Sequence, residues 1–212
     1  MRFRASRLGP FLAIGLLLKF GCSTGCDSGS SGGTSVDDDV RVARSTDDGI
    51  TWTAPAALNA DASTDLGHDG GPQVATDGLG TWVAAWHSND FPAQNDVDIN
   101  VARSTNGGAS WVGEAELNTN AGSDAGDDAW PQVTTDGQGT WVAVWRSDDS
   151  LGDTIGTDLD ILVARSTDDG VSWTAPAALN TNASGDTGDD SRAQVTTDGQ
   201  GTWVAVWTSE DL

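Results

Sequence analysis

The octapeptide STDDGITW at 45–52 returns as STNGGASW at 104–111 and as STDDGVSW at 166–173. Trp52 and Trp111 stand 59 residues apart and Trp111 and Trp173 stand 62 apart; Trp82, Trp141 and Trp203 repeat the same two intervals. Within each unit the octapeptide tryptophan precedes the following TWVA tryptophan by a constant 30 residues. The three extra residues of the last unit therefore fall between Arg146-Ser147 and Asp160, in a loop. A chain written on so regular a period is an array of small supersecondary units, each of which buries its faces only against its neighbours.

One unit contains four short runs, PQVTT, TWVAVWRS, DINVARS and SWVGEAEL, rich in Val, Trp and Thr and bounded by Gly and Asp. That composition and spacing mark strands. The first pair is joined by Asp136-Gly137-Gln138-Gly139 and the second by DDG or NGG, tight turns in which glycine supplies positive φ. In TWVAVW, Trp141, Ala143 and Trp145 form one face and Val142 and Val144 the other, so neither face is polar and both must be covered. The expected fold is all-β, with blades of four antiparallel strands stacked face to face as in a β-propeller.

The pattern Ser-x-Asp-x-Gly-x-(Thr/Ser)-Trp resembles the Asp-box, or BNR repeat, of the sialidase-like β-propeller superfamily. It is carried by Ser45, Asp47, Gly49 and Trp52, by Ser104, Asn106, Gly108 and Trp111, and by Ser166, Asp168, Gly170 and Trp173. The resemblance implies that each box is the turn between the third and fourth strands of a blade, on the face away from any active site, and so a hinge of the fold. Asp or Asn there can accept backbone N–H groups across its own turn.

If the boxes mark one end of the blades, variable chemistry belongs at the other, where the 2–3 loops and the interblade crossovers emerge. Both are acidic. Asp124, Asp127 and Asp128 lie in one crossover and Asp186, Asp189 and Asp190 in the next, with Asp148, Asp149, Asp153 and Asp158 in a 2–3 loop. Carboxylates so spaced in Gly-containing loops suit calcium, a hard cation with six to eight oxygen ligands, although no EF-hand pattern is present. Beyond residue 22 there are six arginines, no lysine and 32 acidic residues, a composition that also suits simple solvation and disfavours nucleic acid as a partner.

Arg44, Arg103 and Arg165 occupy the same place in every unit, beside the box, and read as structural. Arg146 stands where the other units carry His87 and Thr208; Arg192 stands where they carry Gly71 and Trp130. Trp130, Arg146 and Arg192 are therefore the candidate ligand contacts. The resembled sialidases hold a substrate carboxylate with three arginines and use a tyrosine nucleophile, and this chain contains no tyrosine. The expected role is a surface module binding a glycan or a cell-surface protein, with a fragment of a sialidase-like exo-glycosidase as the alternative.

Residues 40–212 supply twelve strands, or about three blades, if the half-units at the two ends are combined. Such a domain is expected to be part of a longer propeller, or half of a six-bladed ring closed by a homodimer. Residues 1–22, with three arginines and an apolar run from Phe11 to Leu18, read as a signal peptide, too short to span a bilayer. Cys22 and Cys26 sit where bacterial lipoproteins are cleaved and lipidated, which would be the chain's only membrane attachment. Residues 23–39 read as a flexible Ser/Gly/Asp linker. The expected location is the bacterial cell envelope or the extracellular space.

Overall fold

A computed structural model describes residues 38–59, 62–64, 67–89 and 96–210. The expected signal peptide, both cysteines and nearly all of the linker lie outside these residues. Among the described residues every regular element is a strand: β1 (Arg41–Val42), β2 (Ala56–Ala57), β3 (Asp69–Thr76), β4 (Trp82–Ser88), β5 (Asp98–Ser104), β6 (Val112–Glu116), β7 (Asp128–Thr135), β8 (Trp141–Ser147), β9 (Asp160–Ser166), β10 (Ala177–Ala178), β11 (Asp190–Thr197) and β12 (Trp203–Ser209). They form two complete antiparallel sheets, β3-β4-β5-β6 and β7-β8-β9-β10, and two half-sheets, β1-β2 and β11-β12. The two half-sheets do not combine into a third blade within the chain. β1-β2 covers one complete sheet, where Val40 meets Trp86 and Ala102, and β11-β12 covers the other, where Ala193 meets Val142, Val144 and Ile161.

The stacking follows from side-chain alternation along the second strand of each blade. Val83 and Ala85 of β4, with Ile99 and Val101 of β5, pack against Trp141, Ala143 and Trp145 of β8 and Leu162 of β9. The opposite face of β8, Val142 and Val144, receives Trp203 and Trp207 of β12. A face of Trp-Ala-Trp is thus laid on a face of small aliphatic residues at successive blade junctions, and β8 is buried on both sides as its sequence requires.

One boundary differs from the sequence reading. The first strand of a blade does not start at Pro131 but runs back to Asp128, because a β-bulge between Ala129 and Gln132 takes up the proline, which has no N–H to contribute to the ladder. The same bulge lies between Gly70 and Gln73 and between Ser191 and Gln194.

The boxes occupy the turns between the third and fourth strands. In the first, Ser45 Oγ donates to Asp47 Oδ1 at 2.8 Å and accepts from Gly49 N–H at 3.0 Å. Asp47 also accepts from the Thr51 amide at 2.9 Å and hydroxyl at 2.6 Å. The third box repeats this set around Asp168. Asn106 substitutes through Oδ1, which accepts from Ser104 Oγ and from the Ala109 and Ser110 amides, while its own amide donates to Ser110 Oγ. Successive boxes are stapled: Arg44 Nε donates to the Gly107 carbonyl and Arg103 Nε to the Asp169 carbonyl, each at 2.6 Å. Within a blade, the Gly107 and Asp169 amides donate to Gly80 and Gly139 of the first hairpin turn, so all these turns share one end.

Donors from Thr51 and Ser172 hold Asp47 and Asp168 at a pKa of about 2. A carboxylate depressed in the folded state contributes stability that is present above its ordinary pKa and is lost as pH falls through the folded value. Melts between pH 5 and 2 should therefore show the box contribution declining only from about pH 4 downward, with Asp168→Asn weakening that decline. Arg103→Ala should cost about 1–2 kcal/mol, read as a shift in the urea midpoint.

Candidate functional site

At the end opposite the boxes, the crossovers after β6 and β10 are each anchored by an asparagine. Asn118 Oδ1 accepts from the Ile99 amide at 3.0 Å, and its Nδ2 donates to Asp98 at 2.8 Å and to Asp128 at 2.6 Å. One unit later, Asn180 accepts from Ile161 N–H and donates to Asp160. These contacts draw acidic side chains from different elements together. Carboxylate oxygens of Asp98, Asp124 and Asp128 lie within 4.8 Å of one another, as do those of Asp158, Asp160 and Asp186.

Of the six aspartates singled out as metal ligands, Asp124, Asp128 and Asp186 enter these clusters. Asp190, the counterpart of Asp128, begins β11 and is likewise buried. Asp127 and Asp189 do something else: they accept from the Val97 and Leu159 amides and cap the preceding loop. Asp98 and Asp160 were missed because each opens a strand, where an acid reads as a boundary. Their signal was the repeated Asp-x-Asp of Asp96-Val97-Asp98 and Asp158-Leu159-Asp160.

Burial and neighbouring acids push Asp98 up to about 7 and Asp124 up to about 6. Burial likewise raises Asp128, although Ser147 and Trp145 donate to it, and pushes Asp160 up to about 6. Among the described residues the ion pairs with Arg or His are Arg41 with Asp39 and His68 with Asp38, neither of them at Asp98, Asp124 or Asp128.

The second feature lies at the bulges of the first strands. Trp130, Arg146 and Arg192, selected because they break the repeat, line one cleft of about 580 Å³ with Gln132, Ser191, Ala193 and Gln194. Trp130 and Arg192 are the bulge residues themselves, at φ 58° and 60°, a left-handed conformation costly for a bulky side chain. Gly71 occupies the same position in the first unit at φ 59°. Arg146 projects from β8 toward the next bulge, as His87 does from β4. The His87 ring lies 5.4 Å from that of Trp130, and its Nδ1 accepts from the Trp130 amide at 3.4 Å. Desolvation, followed by the charge of Arg146, lowers the His87 pKa, keeping the ring neutral and able to accept. Gly70 and Gly71 make room for it, because a Cβ at either would stand within 3 Å of the imidazole.

No protein-family model and no curated protein matches the chain. Among solved structures it is similar to a Hadza microbial sialidase, at 19% identity and a TM-score of 0.50 over 80% of this chain and 38% of that one. It is similar to the Penicillium chrysogenum α-L-arabinanase complexed with arabinobiose, at 17% identity and a TM-score of 0.50 over 83% of this chain and 56% of that one. A third is the GH93 α-L-arabinofuranosidase of Fusarium graminearum with arabinobiose, at 15% identity and a TM-score of 0.51 over 75% of this chain and 45% of that one. The shared property is the fold: the chain is built of β-propeller blades, and it spans 38–56% of the length of these proteins.

Gly70→Ala should displace His87 and release Trp130 from its support. The expected result is altered accessibility of Trp130 to acrylamide quenching, with little change in the box-end hydrogen exchange.

Proposed function

We propose that the chain is an exported surface module that binds glycans carrying an anionic group, at the cleft of Trp130, Arg146 and Arg192. The observation behind this reading is the convergence, in an otherwise acidic protein, of two arginines and a half-exposed tryptophan on one cleft whose lining contains no carboxylate. An indole face suits the apolar face of a sugar ring, and a guanidinium fork suits a carboxylate. Trp130 and Arg192 are held in strained backbone conformations, a feature that clusters at ligand-binding positions. Propeller glycosidases, the fold's solved relatives, lend the reading general support. Glycoside hydrolysis ordinarily needs a carboxylate pair about 5–9 Å apart, which this lining does not supply, so binding is favoured over turnover.

Calorimetry with 3′-sialyllactose, lactose and arabinobiose tests the reading. The acidic sugar should bind, lactose should bind at least tenfold more weakly, and Trp130→Ala and Arg146→Ala should each weaken binding at least tenfold. Arg192→Gly should weaken binding while leaving stability unchanged or raised by up to about 1 kcal/mol, because glycine adopts positive φ without strain. Hydrolysis of a fluorogenic sialoside or arabinoside by the purified chain would overturn the binding module in favour of the glycosidase alternative.

The two ends of the array leave apolar faces uncovered. Val204 and Val206 of β12 are more than half exposed and repeat the Val142/Val144 face that β12 itself covers. At the other end Val74 is exposed and, with Trp82, lines a cleft of about 550 Å³ beside β1. We propose that β11-β12 of one copy joins β1-β2 of another to complete a blade, closing six blades from two chains. Light scattering should give a dimer, and Val206→Asp should give a monomer; a monomeric parent chain would refute the assembly.

A further inference from the structure

We infer that the two acidic clusters are calcium sites, one at the β6–β7 crossover and one at the β10–β11 crossover, formed by Asp96, Asp98, Asp124 and Asp128 and by Asp158, Asp160 and Asp186. Proximity of acids alone would not support this. The independent observation is the state of their oxygens. Asp96 is 7% exposed, and both of its carboxylate oxygens are buried without a hydrogen-bond partner. Asp96 precedes Asp98 by two residues, beside the cluster of Asp98, Asp124 and Asp128. Asp124 Oδ1 and Asn120 Oδ1 are buried and unpartnered as well. In the second cluster Asp160 is wholly buried and its Oδ2 is unpartnered, as is Asp158 Oδ2.

A buried carboxylate oxygen with no donor is costly, and one unit has reproduced it from another at the same place in the fold. The local hydrogen bonds hold the carboxylates without satisfying them. Asn118 and the Trp145 indole, the latter at 2.9 Å, both donate to Asp128. Asn120 donates to Asp124 and to Asp149, leaving its own carbonyl oxygen spare. Gly156 lets the backbone pass close to Asp158, where a Cβ would collide with the carboxylate.

The donor set selects the ion. Every available ligand is a carboxylate or amide oxygen, with no histidine or cysteine in either cluster, which excludes the softer transition metals as the preferred occupant. The ligands come from loops and strand ends with irregular spacing, which suits the six to eight flexible oxygen contacts of calcium better than the strict octahedron of magnesium. Bound calcium would offset the like-charge repulsion and fasten each crossover to the following blade.

The test uses the full chain stripped with EDTA. Calorimetry with calcium chloride should show one equivalent for each of the two described clusters, and the melting temperature should rise by several degrees, with magnesium giving at least tenfold weaker binding. Asp96→Asn, which removes no hydrogen bond, and Asp160→Asn should each lose one equivalent, and the double variant should lose both. Terbium, substituting for calcium, should show luminescence sensitised by Trp145 in the parent, reduced in Asp98→Asn. No heat and no melting shift at 10 mM calcium would overturn the inference, as would unchanged stoichiometry in folded Asp96→Asn and Asp160→Asn proteins. Both readouts are independent of sugar binding, so this inference can fail without affecting the glycan reading.

Discussion

The structure depends on one kind of contact, the laying of a tryptophan-bearing strand face on the small aliphatic face of the preceding blade. At the central junction Trp141 and Trp145 are fully buried against Val83 and Ala85. Burying an aromatic side chain of this size is worth about 2–3 kcal/mol, and no single sheet here has a face that would be stable in water. A blade is consequently meaningful only between neighbours, and the array is held by interfaces repeated along it. The hairpin turns and boxes decide where the strands reverse; the tryptophan layers decide that the sheets stack.

That division frees one end of the molecule to vary. The box end is cross-tied, with Arg44 and Arg103 bonded to the backbone of the next box and the second and third boxes bonded to their own blade's first turn. Its side chains are committed to backbone groups and cannot change without loosening the stack. At the other end the bulges recur at fixed places, but the residue at the bulge does not: Gly71, Trp130 and Arg192 share one backbone conformation. The fold thus holds a position open and lets its occupant differ from blade to blade, which is how a repeat protein makes a site that is not itself repeated.

The sequence was legible where a residue's role follows from local pattern. Equal spacing revealed the blades, the apolar alternation of TWVAVW revealed burial on two sides, and the turn residues located both hairpins. Trp130, Arg146 and Arg192 could be selected because they depart from the repeat, and one cleft gathers all three. What could not be read depended on contacts between distant segments. Pro131 looked like the start of a strand because a proline ends local strand signals, whereas the bulge that absorbs it is defined by its partner β8. Asp127 and Asp128 are adjacent and chemically identical, yet one caps Val97 and the other is buried under Trp145. Only the three-dimensional pairing of crossover and strand end separates them. That the two half-sheets stay separate within one chain was likewise a matter of long-range pairing that local pattern does not carry.

The aspartates show why composition alone says little about chemistry here. Asp47 and Asp168 at the box end are surrounded by hydroxyl and amide donors and titrate near 2. Asp98 and Asp160 at the crossover end are buried among other acids and titrate near 7 and 6. The same side chain is stabilised as an anion at one end and opposed as an anion at the other, and the difference arises from what the backbone presents. In a tight turn, amides converge on a carboxylate and satisfy it. At a strand end facing a crossover, the ladder has already claimed the amides, so the carboxylate must find an asparagine, a proton or a cation. A chain with 32 acidic residues and six arginines beyond its N-terminal segment has too few basic groups to serve both ends, and two of those arginines are engaged by carbonyls in the boxes. The unmet electrostatic demand is therefore localised at the crossovers, beside the cleft end of the blades, where an external ligand can meet it.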